Sequence, residues 1–207
     1  MGFCKLTADL CGKPVLHYSL QAFQSASSID EIVLVTGLDY DVSEFSKVSA
    51  IVKGGKTRFE SMRNGLDAVT AKSGVVLIHD GARPLITSAG VNRIADVIVD
   101  TVNDKCIGAI YAVPVKETLK SVADGCVTAT ADRSVLYLAQ TPQAFDLDEL
   151  RYCTANVWTN NYATVTDESM LFEKLGKEVR LKIGSYSNVK ITTPEDLIIA
   201  KALMNSK

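Results

Sequence analysis

The chain is poor in residues that do chemistry unaided. It has two histidines, one tryptophan and five prolines in 207 residues. With only His17 and His79 available, histidine acid–base chemistry is a poor fit, and no serine, cysteine or histidine triad pattern stands out. Its five cysteines, Cys4, Cys11, Cys106, Cys126 and Cys153, are odd in number, and no two are spaced Cys-x-x-Cys. That argues against a disulfide framework or a zinc site and fits reduced thiols in a cytoplasmic setting. No run approaches the ~20 apolar residues of a membrane span. The opening Met1-Gly-Phe-Cys-Lys5 lacks the apolar core of a signal peptide. Gly2 would open a myristoylation signal only with Ser or Thr at position 6, where Leu6 stands. A formal net charge of -2 exerts no general pull on nucleic acid or membrane lipid, so any phosphate site has to be a local basic one. A Walker loop and a G-x-G-x-x-G turn are also missing.

What is present is alternation. Apolar residues make up 47% and charged residues 22%, and this length suits one α/β domain, residues 1–207, with a small appendage. Val15–Ala26 repeats apolar residues at near-helical spacing, and Glu31–Thr36 is a compact β-branched run. Ala50–Val52 is a second short apolar run. Thr57–Thr70 reads as helix, Val75–Ile78 as buried strand, Val91–Val102 as helix and Ile107–Val115 as strand. This order predicts a mostly parallel sheet with helices on both faces. Residues 116–138 alternate polar and apolar around Asp124-Gly125, as a β-hairpin arm standing off the sheet would. Asp148–Val157 and Asp167–Leu175 read as helices and Lys177–Ile183 as a strand. A last helix runs to Met204, opened by Thr193-Pro-Glu-Asp196: Thr193 as cap, Pro194 in the first turn, Asp196 at the capping-box position.

In an open parallel sheet, ligands bind beyond the carboxyl ends of the strands. That rule selects three segments. Gly54-Gly-Lys-Thr-Arg58 offers free backbone N–H groups before a helix and two cations, which suits a phosphate or a base edge; it would equally serve as a turn with solvated charges. His79-Asp-Gly-Ala-Arg-Pro84 follows an apolar strand. Asp80 there can hold Mg²⁺ or a ribose hydroxyl, and Arg83 can pair with a phosphate oxygen. Alternatively Asp80 caps the next segment and Arg83 pairs locally. His79 reads as structural. Asn188-Val-Lys190 places a lysine between apolar residues just before a helix, where it projects into a cleft as a point charge or lies on an exposed edge. Lysine, arginine, aspartate and glycine are the kit of phosphoryl or nucleotidyl transfer, in which positioning and charge stabilisation do most of the catalysis.

Gly12-Lys-Pro-Val-Leu16, Gly54-Gly-Lys-Thr-Arg-Phe-Glu-Ser61, His79–Pro84, Ala112-Val-Pro-Val-Lys-Glu-Thr118, Gln140-Thr-Pro-Gln-Ala-Phe145, Val165-Thr-Asp-Glu-Ser169 and Asn188–Asp196 occur in that order. Taken together they resemble the 2-C-methyl-D-erythritol 4-phosphate cytidylyltransferase family. Each stretch is weak alone; the ordered set is specific and spans nearly the whole chain. The resemblance implies a Rossmann-like domain, a protruding β-arm, a homodimer built through the arms, and Mg²⁺-dependent transfer of CMP from CTP to a polyol phosphate with release of pyrophosphate. It implies Lys5 as the lysine that stabilises charge on the α-phosphate and Lys190 as the one that positions the attacking phosphate. Gly54, Gly55 and Ser61 match the part that selects cytosine and contacts the nucleotide. Asp80, Gly81 and Arg83 match the group around the ribose and substrate. Thr118, Thr141 and Thr166 fall near the acceptor.

Two departures stand out. The family opens with a strand and a loop of the form Ala-Ala-Gly-x-Gly-x-Arg-Met-Gly, and Met1-Gly2 is in register with the last two residues of that motif. The strand, which would lie in the middle of the sheet, the triphosphate-wrapping glycines and the catalytic arginine are therefore expected to be absent here. Near Asp146-Leu147 the family usually places an arginine that holds the acceptor phosphate. Asp146 would repel that phosphate, with Arg151 one turn on as a substitute. Three readings follow: the methylerythritol phosphate enzyme, a ribitol-5-phosphate cytidylyltransferase sharing the fold, and a truncated homologue without activity.

Overall fold

In the computed structural model, residues 4–99, 106–157 and 164–206 are described. The element order is β1 (Asp9–Leu10), β2 (Lys13–Pro14), α1 (Val15–Gln24), β3 (Ile32–Val35), β4 (Val48–Val52), α2 (Arg58–Asp67), β5 (Val75–Ile78), α3 (Ser88–Val99), β6 (Gly108–Pro114), β7 (Lys120–Ala123), β8 (Cys126–Thr130), β9 (Tyr137–Asp146), α4 (Leu147–Asn156), α5 (Ser169–Lys174), β10 (Arg180–Ile183) and α6 (Pro194–Asn205). The expected extension of α3 from residue 100 to 102 lies outside the described residues, as do Met1 and Gly2.

Period-two alternation explains how the main sheet is sandwiched. Its order is β10-β6-β9-β5. Val75 and Leu77 of β5, Ala109 and Tyr111 of β6, and Ala144 of β9 turn to one face, where Ile94 and Ile98 of α3 cover them. Val76, Ile78, Ile110 and Phe145 turn to the other, against Phe59, Met62 and Leu66 of α2, Leu150 of α4 and Phe172 of α5. Phe145 and Phe172 are fully buried and stack at 4.7 Å. Burial of each ring stabilises by about 1.5–3 kcal/mol, with about 0.5–1.5 kcal/mol more from the ring pair.

The architecture is the expected Rossmann-like α/β type, with one difference in direction. β10 pairs parallel with β6, and β3 parallel with β4. β9 runs antiparallel to both β5 and β6, so β5, β6 and β10 share one direction and β9 opposes them. Sequence reading took Gln140–Phe145 as a motif without assigning it a strand. Thr141-Pro-Gln-Ala144 carries no clean alternation, because β9 is buried on both faces along this stretch.

The sheet is divided. β3 and β4 form a separate two-stranded sheet. Among the described residues, the edges of β3 and β5 that face each other carry no strand partner. A cavity of about 850 Å³ lies between them, lined by Val33 and Val35 on one side and Val75 to Ile78 on the other, with Cys4 and Leu6 also on its wall. This is the mid-sheet position at which the resemblance places its leading strand.

The arm is a hairpin of β7 and β8, in which Val122 pairs with Val127 and Ala123 with Cys126. Asp124 and Gly125 join them with φ of 50° and 76°. Two consecutive positive φ values are the signature of the two-residue hairpin turn that Asp-Gly favours. The arm is shorter than expected: residues 133–135 form a 3₁₀ turn, and Tyr137 and Leu138 already pair with Pro114 and Val113 as the start of β9.

Candidate active site

β5 ends at Ile78 and delivers His79, Asp80 and Gly81 to the carboxyl edge of the sheet, facing the cavity. The backbone then turns back, with Arg83 N–H donating to the Asp80 carbonyl. The segment before α6 is laid against this turn: Ile191 N–H donates to the Ala82 carbonyl at 2.8 Å, and Arg83 Nη1 donates to the Asn188 carbonyl at 2.8 Å. α6 starts where it does because Thr193 and Asp196 form the expected capping box with Pro194 in its first turn. That fixes the preceding strand-like stretch and aims Lys190 at Asp80, with Nζ 2.9 Å from Oδ2. Arg83 Nε approaches the same oxygen at 3.5 Å.

Asp80 is the electrostatic centre of this cluster. Burial alone would raise its carboxyl, but the hydrogen bond and charge of Lys190, with Arg58 and Arg83 behind it, hold it below the ordinary aspartate value. Its backbone N–H donates to Thr141 Oγ1, which also contacts His79 Nδ1. His79 Nε2 meets the Arg83 carbonyl at 3.3 Å. Burial pushes the His79 imidazole down to about 4, so it is neutral at pH 7 and serves as a structural link, as read from sequence. Asn188 Nδ2 donates to the Thr141 carbonyl, while Asn188 Oδ1 and Arg83 Nε are buried without a hydrogen-bond partner.

The second part of the site is the turn ahead of α2. Thr57 caps that helix and Glu60 reaches back in a capping box. The Glu60 carboxylate accepts from Lys56 N–H at 2.6 Å, and Ser61 Oγ accepts from Gly55 N–H at 3.0 Å. A Cβ on Gly55 would fall 2.2 Å from the Glu60 Cβ, so this close approach admits only glycine. Arg58 is not the free cation that the sequence suggested. It makes a bidentate pair with Glu168, Nη1–Oε1 at 2.5 Å and Nη2–Oε2 at 2.8 Å. Gly54, Ser61, Arg58, Asp80, Gly81 and Glu168 all line the cavity that also extends between β3 and β5.

The structure therefore brings together Asp80, Gly81, Arg83, Thr141 and Lys190, with Gly54, Gly55 and Ser61 on the adjoining turn. Lys5 lies in the turn between Cys4 and Leu6, which both line the cavity. Three expected residues stand elsewhere. Thr118 is exposed just before β7, and Thr166 is exposed with its hydroxyl on Met170 sulfur. Arg151 donates to the carbonyls of Lys72, Ala71 and Val69, closing the end of α2 and the turn beyond it, so it does not replace a phosphate-binding arginine here. Asp146 has a local reason: it caps α4, accepting from Asp148 and Glu149 N–H. Sequence reasoning missed Glu168 and Gln143, since nothing in a lone acid or amide announces burial.

Among the described residues, no three His, Cys, Asp or Glu side chains cluster to hold a metal. Asp80 is a single carboxylate at the cavity wall. That donor set fits an ion such as Mg²⁺, which commonly takes one or two protein carboxylates and fills its remaining positions with phosphate oxygens and water.

Comparison with known proteins identifies the family. The family model described as 2-C-methyl-D-erythritol 4-phosphate cytidylyltransferase matches residues 1–206. The protein of that name from Geobacter metallireducens is 40% identical over 210 residues, covering 96% of this chain and 88% of the relative. The one from Nostoc sp. is 39% identical over 213 residues, covering 98% and 90%. Among solved structures, 4-diphosphocytidyl-2C-methyl-D-erythritol synthase from Anaerococcus prevotii superposes with a TM-score of 0.83 at 33% identity, covering 97% of this chain and 93% of that one. The Thermus thermophilus cytidylyltransferase gives 0.80 at 27% identity, covering 97% and 94%. A match this long, at this identity, places the chain in the 2-C-methyl-D-erythritol 4-phosphate cytidylyltransferase family.

Proposed function

We infer that this chain transfers CMP from CTP to 2-C-methyl-D-erythritol 4-phosphate and releases pyrophosphate, a step of isoprenoid precursor synthesis. The observation that carries the reading is that one cavity joins the Gly54–Ser61 turn to the Asp80–Lys190 cluster, in a chain matched to the family over residues 1–206. An oxygen of the acceptor phosphate attacks the α-phosphorus of CTP. The bond to the β-phosphate breaks, and pyrophosphate leaves with the electron pair. Negative charge builds on the α-phosphate, so cations fixed beforehand lower the barrier most.

Each residue's part follows from its placement. Gly54, Gly55 and Ser61 receive the nucleotide, with close backbone approach at the glycines. Asp80 and Gly81 face the ribose. Lys190, held at 2.9 Å by Asp80, orients the acceptor phosphate, while Arg83, spent on Asp80 and the Asn188 and Ala139 carbonyls, fixes the turn that carries Asp80. Lys5 stabilises the α-phosphate. Thr141 acts through Asp80, whose N–H it binds. Mg²⁺, with Asp80 as its protein ligand, would supply additional neutralisation of triphosphate charge. The arm leaves Val122 60% and Val127 63% exposed, and pairing through the arms of two copies would cover them. The setting that suits this soluble chemistry is the cytoplasm.

The test is pyrophosphate release with CTP, Mg²⁺ and methylerythritol phosphate, with ribitol-5-phosphate and a chelator in parallel lanes. Release with methylerythritol phosphate alone, abolished by the chelator, is expected. Release with ribitol-5-phosphate alone would reassign the acceptor. Silence with both would count against this chain as an active transferase.

A further inference from the structure

Glu168 is the most deeply buried carboxylate that the reaction leaves unassigned. Its side chain is 1% exposed, and Arg58, 30% exposed, grips it through Nη1 and Nη2. Burial pushes the Glu168 carboxyl upward, and the guanidinium opposes that. A buried ion pair is a poor way to gain stability, since apolar replacements often do as well. Its location suggests another use. Arg58 is the first residue of α2, directly after the Gly54–Thr57 turn. Glu168 follows Val165-Thr-Asp167, and its N–H donates to Gln143 Oε1 at 3.2 Å. Gln143, 1% exposed on β9, also donates to Asp167 at 3.0 Å. Two residues earlier on β9, Thr141 holds Asp80. One continuous path thus runs from the nucleotide turn, through Arg58, Glu168 and Gln143, to the Asp80–Lys190 cluster.

We propose that the Arg58–Glu168 pair is a positioning brace that fixes the separation between the Gly54–Gly55 turn and the Asp80–Lys190 cluster. Neither side chain touches reacting atoms. The pair sets where the two substrates stand relative to each other, and it occupies Arg58, which would otherwise compete for the triphosphate. Only the kinetic arm of the test rests on the transfer reading above.

The test compares the full chain with Glu168→Gln, Arg58→Lys and the apolar double variant Arg58→Met/Glu168→Leu. Amide exchange is read first, because it needs no activity. Exchange at Gly55 and Lys56 should quicken ~10-fold or more in Glu168→Gln, with β6 amides unchanged. Turnover should drop ~10-fold or more, while CTP dissociation constants stay within about threefold. The double variant should regain thermal stability without regaining turnover. Unchanged exchange at Gly55 and Lys56 would overturn the brace whatever the activity. So would a double variant that recovers both stability and turnover, since the pair would then be packing alone. A wild-type chain inactive with CTP and methylerythritol phosphate would count against the transfer reading, and the exchange result would still judge the brace.

Discussion

The Asp80 cluster and the hairpin arm are held by opposite means. In the cluster, partners distant in sequence fix every side chain. Asp80 is 18% exposed and Arg83 11%, and their contacts come from residues 139, 141, 188 and 190. The arm is exposed throughout residues 116–130, and its two strands pair with each other through an Asp-Gly turn. A lone two-stranded hairpin is marginal in water. The cluster therefore reads as a pre-set array of charges, whereas the arm reads as a surface that gains its packing from something else. The molecule spends its tertiary contacts on the place where misplacement by an ångström would slow the reaction, and leaves the arm to local turn chemistry.

The sharpest way to break the comparison is Lys190→Ala. If the cluster is pre-set for the transition state, turnover should fall ~10²–10³-fold, far beyond what the accompanying loss of stability from leaving Asp80 without its 2.9 Å partner accounts for. Unchanged turnover would remove Lys190 from the site. The same experiment on Lys5 should hurt turnover more than CTP binding.

A second test uses pH. The His79 pKa lies at about 4 in the folded chain against an ordinary 6.5. The unfolded chain therefore binds a proton that the folded one refuses, and stability is complete above pH 6.5 and is lost as pH falls toward 4. At pH 5 the loss is about 2 kcal/mol. Denaturant melts at pH 8 and pH 5 measure it, and His79→Gln should remove most of that difference. Asp80, whose pKa is depressed instead from the carboxylate range, adds its own loss only at lower pH. A His79→Gln chain with the same pH dependence as wild type would show that the cluster is looser than its hydrogen bonds imply.

These tests rest on features that differed in how far the sequence displayed them. α6 was legible to the residue at its start, because Thr193, Pro194 and Asp196 are local signals. The strand ending before Asp80 was legible because Val75–Ile78 is apolar and a polar turn follows. β9 was not, since a strand buried on both faces and interrupted by Pro142 shows neither alternation nor a plain apolar run. Gly54-Gly55 was picked for free backbone N–H groups, yet Ser61 and Glu60 side chains already accept from Gly55 and Lys56 N–H, and Arg58 was misjudged as well. Its partner lies 110 residues away, and no local pattern reports a pairing at that range. Arg151 was misjudged in the same way, as a free cation where the fold uses it on carbonyls.

Asp146 sharpens the comparison at a smaller scale. It belongs to the side of the molecule where each polar group has a job in the fold: it accepts from two N–H groups at the start of α4. Asp146→Ala should cost about 1 kcal/mol of stability and leave the KM for methylerythritol phosphate unchanged. A lowered KM would mean that the carboxylate does repel the acceptor phosphate.

The arm should give the smallest effect on the protomer and the clearest on assembly. Val122 and Val127 face each other across the hairpin and are largely exposed. Val122→Lys and Val127→Lys remove no buried contact within one copy, so protomer stability should change by less than about 0.5 kcal/mol. If the arm gains its packing from a second copy, sedimentation velocity should show a wild-type dimer and a monomeric double variant. A double variant that still sediments as a dimer would place the interface away from these valines. A monomeric wild type would leave the arm as a free hairpin, and its apolar side chains would then need a different cover. A protomer destabilised by several kcal/mol would contradict the premise that the arm is packed only against itself, and the contrast with the Asp80 cluster would fall.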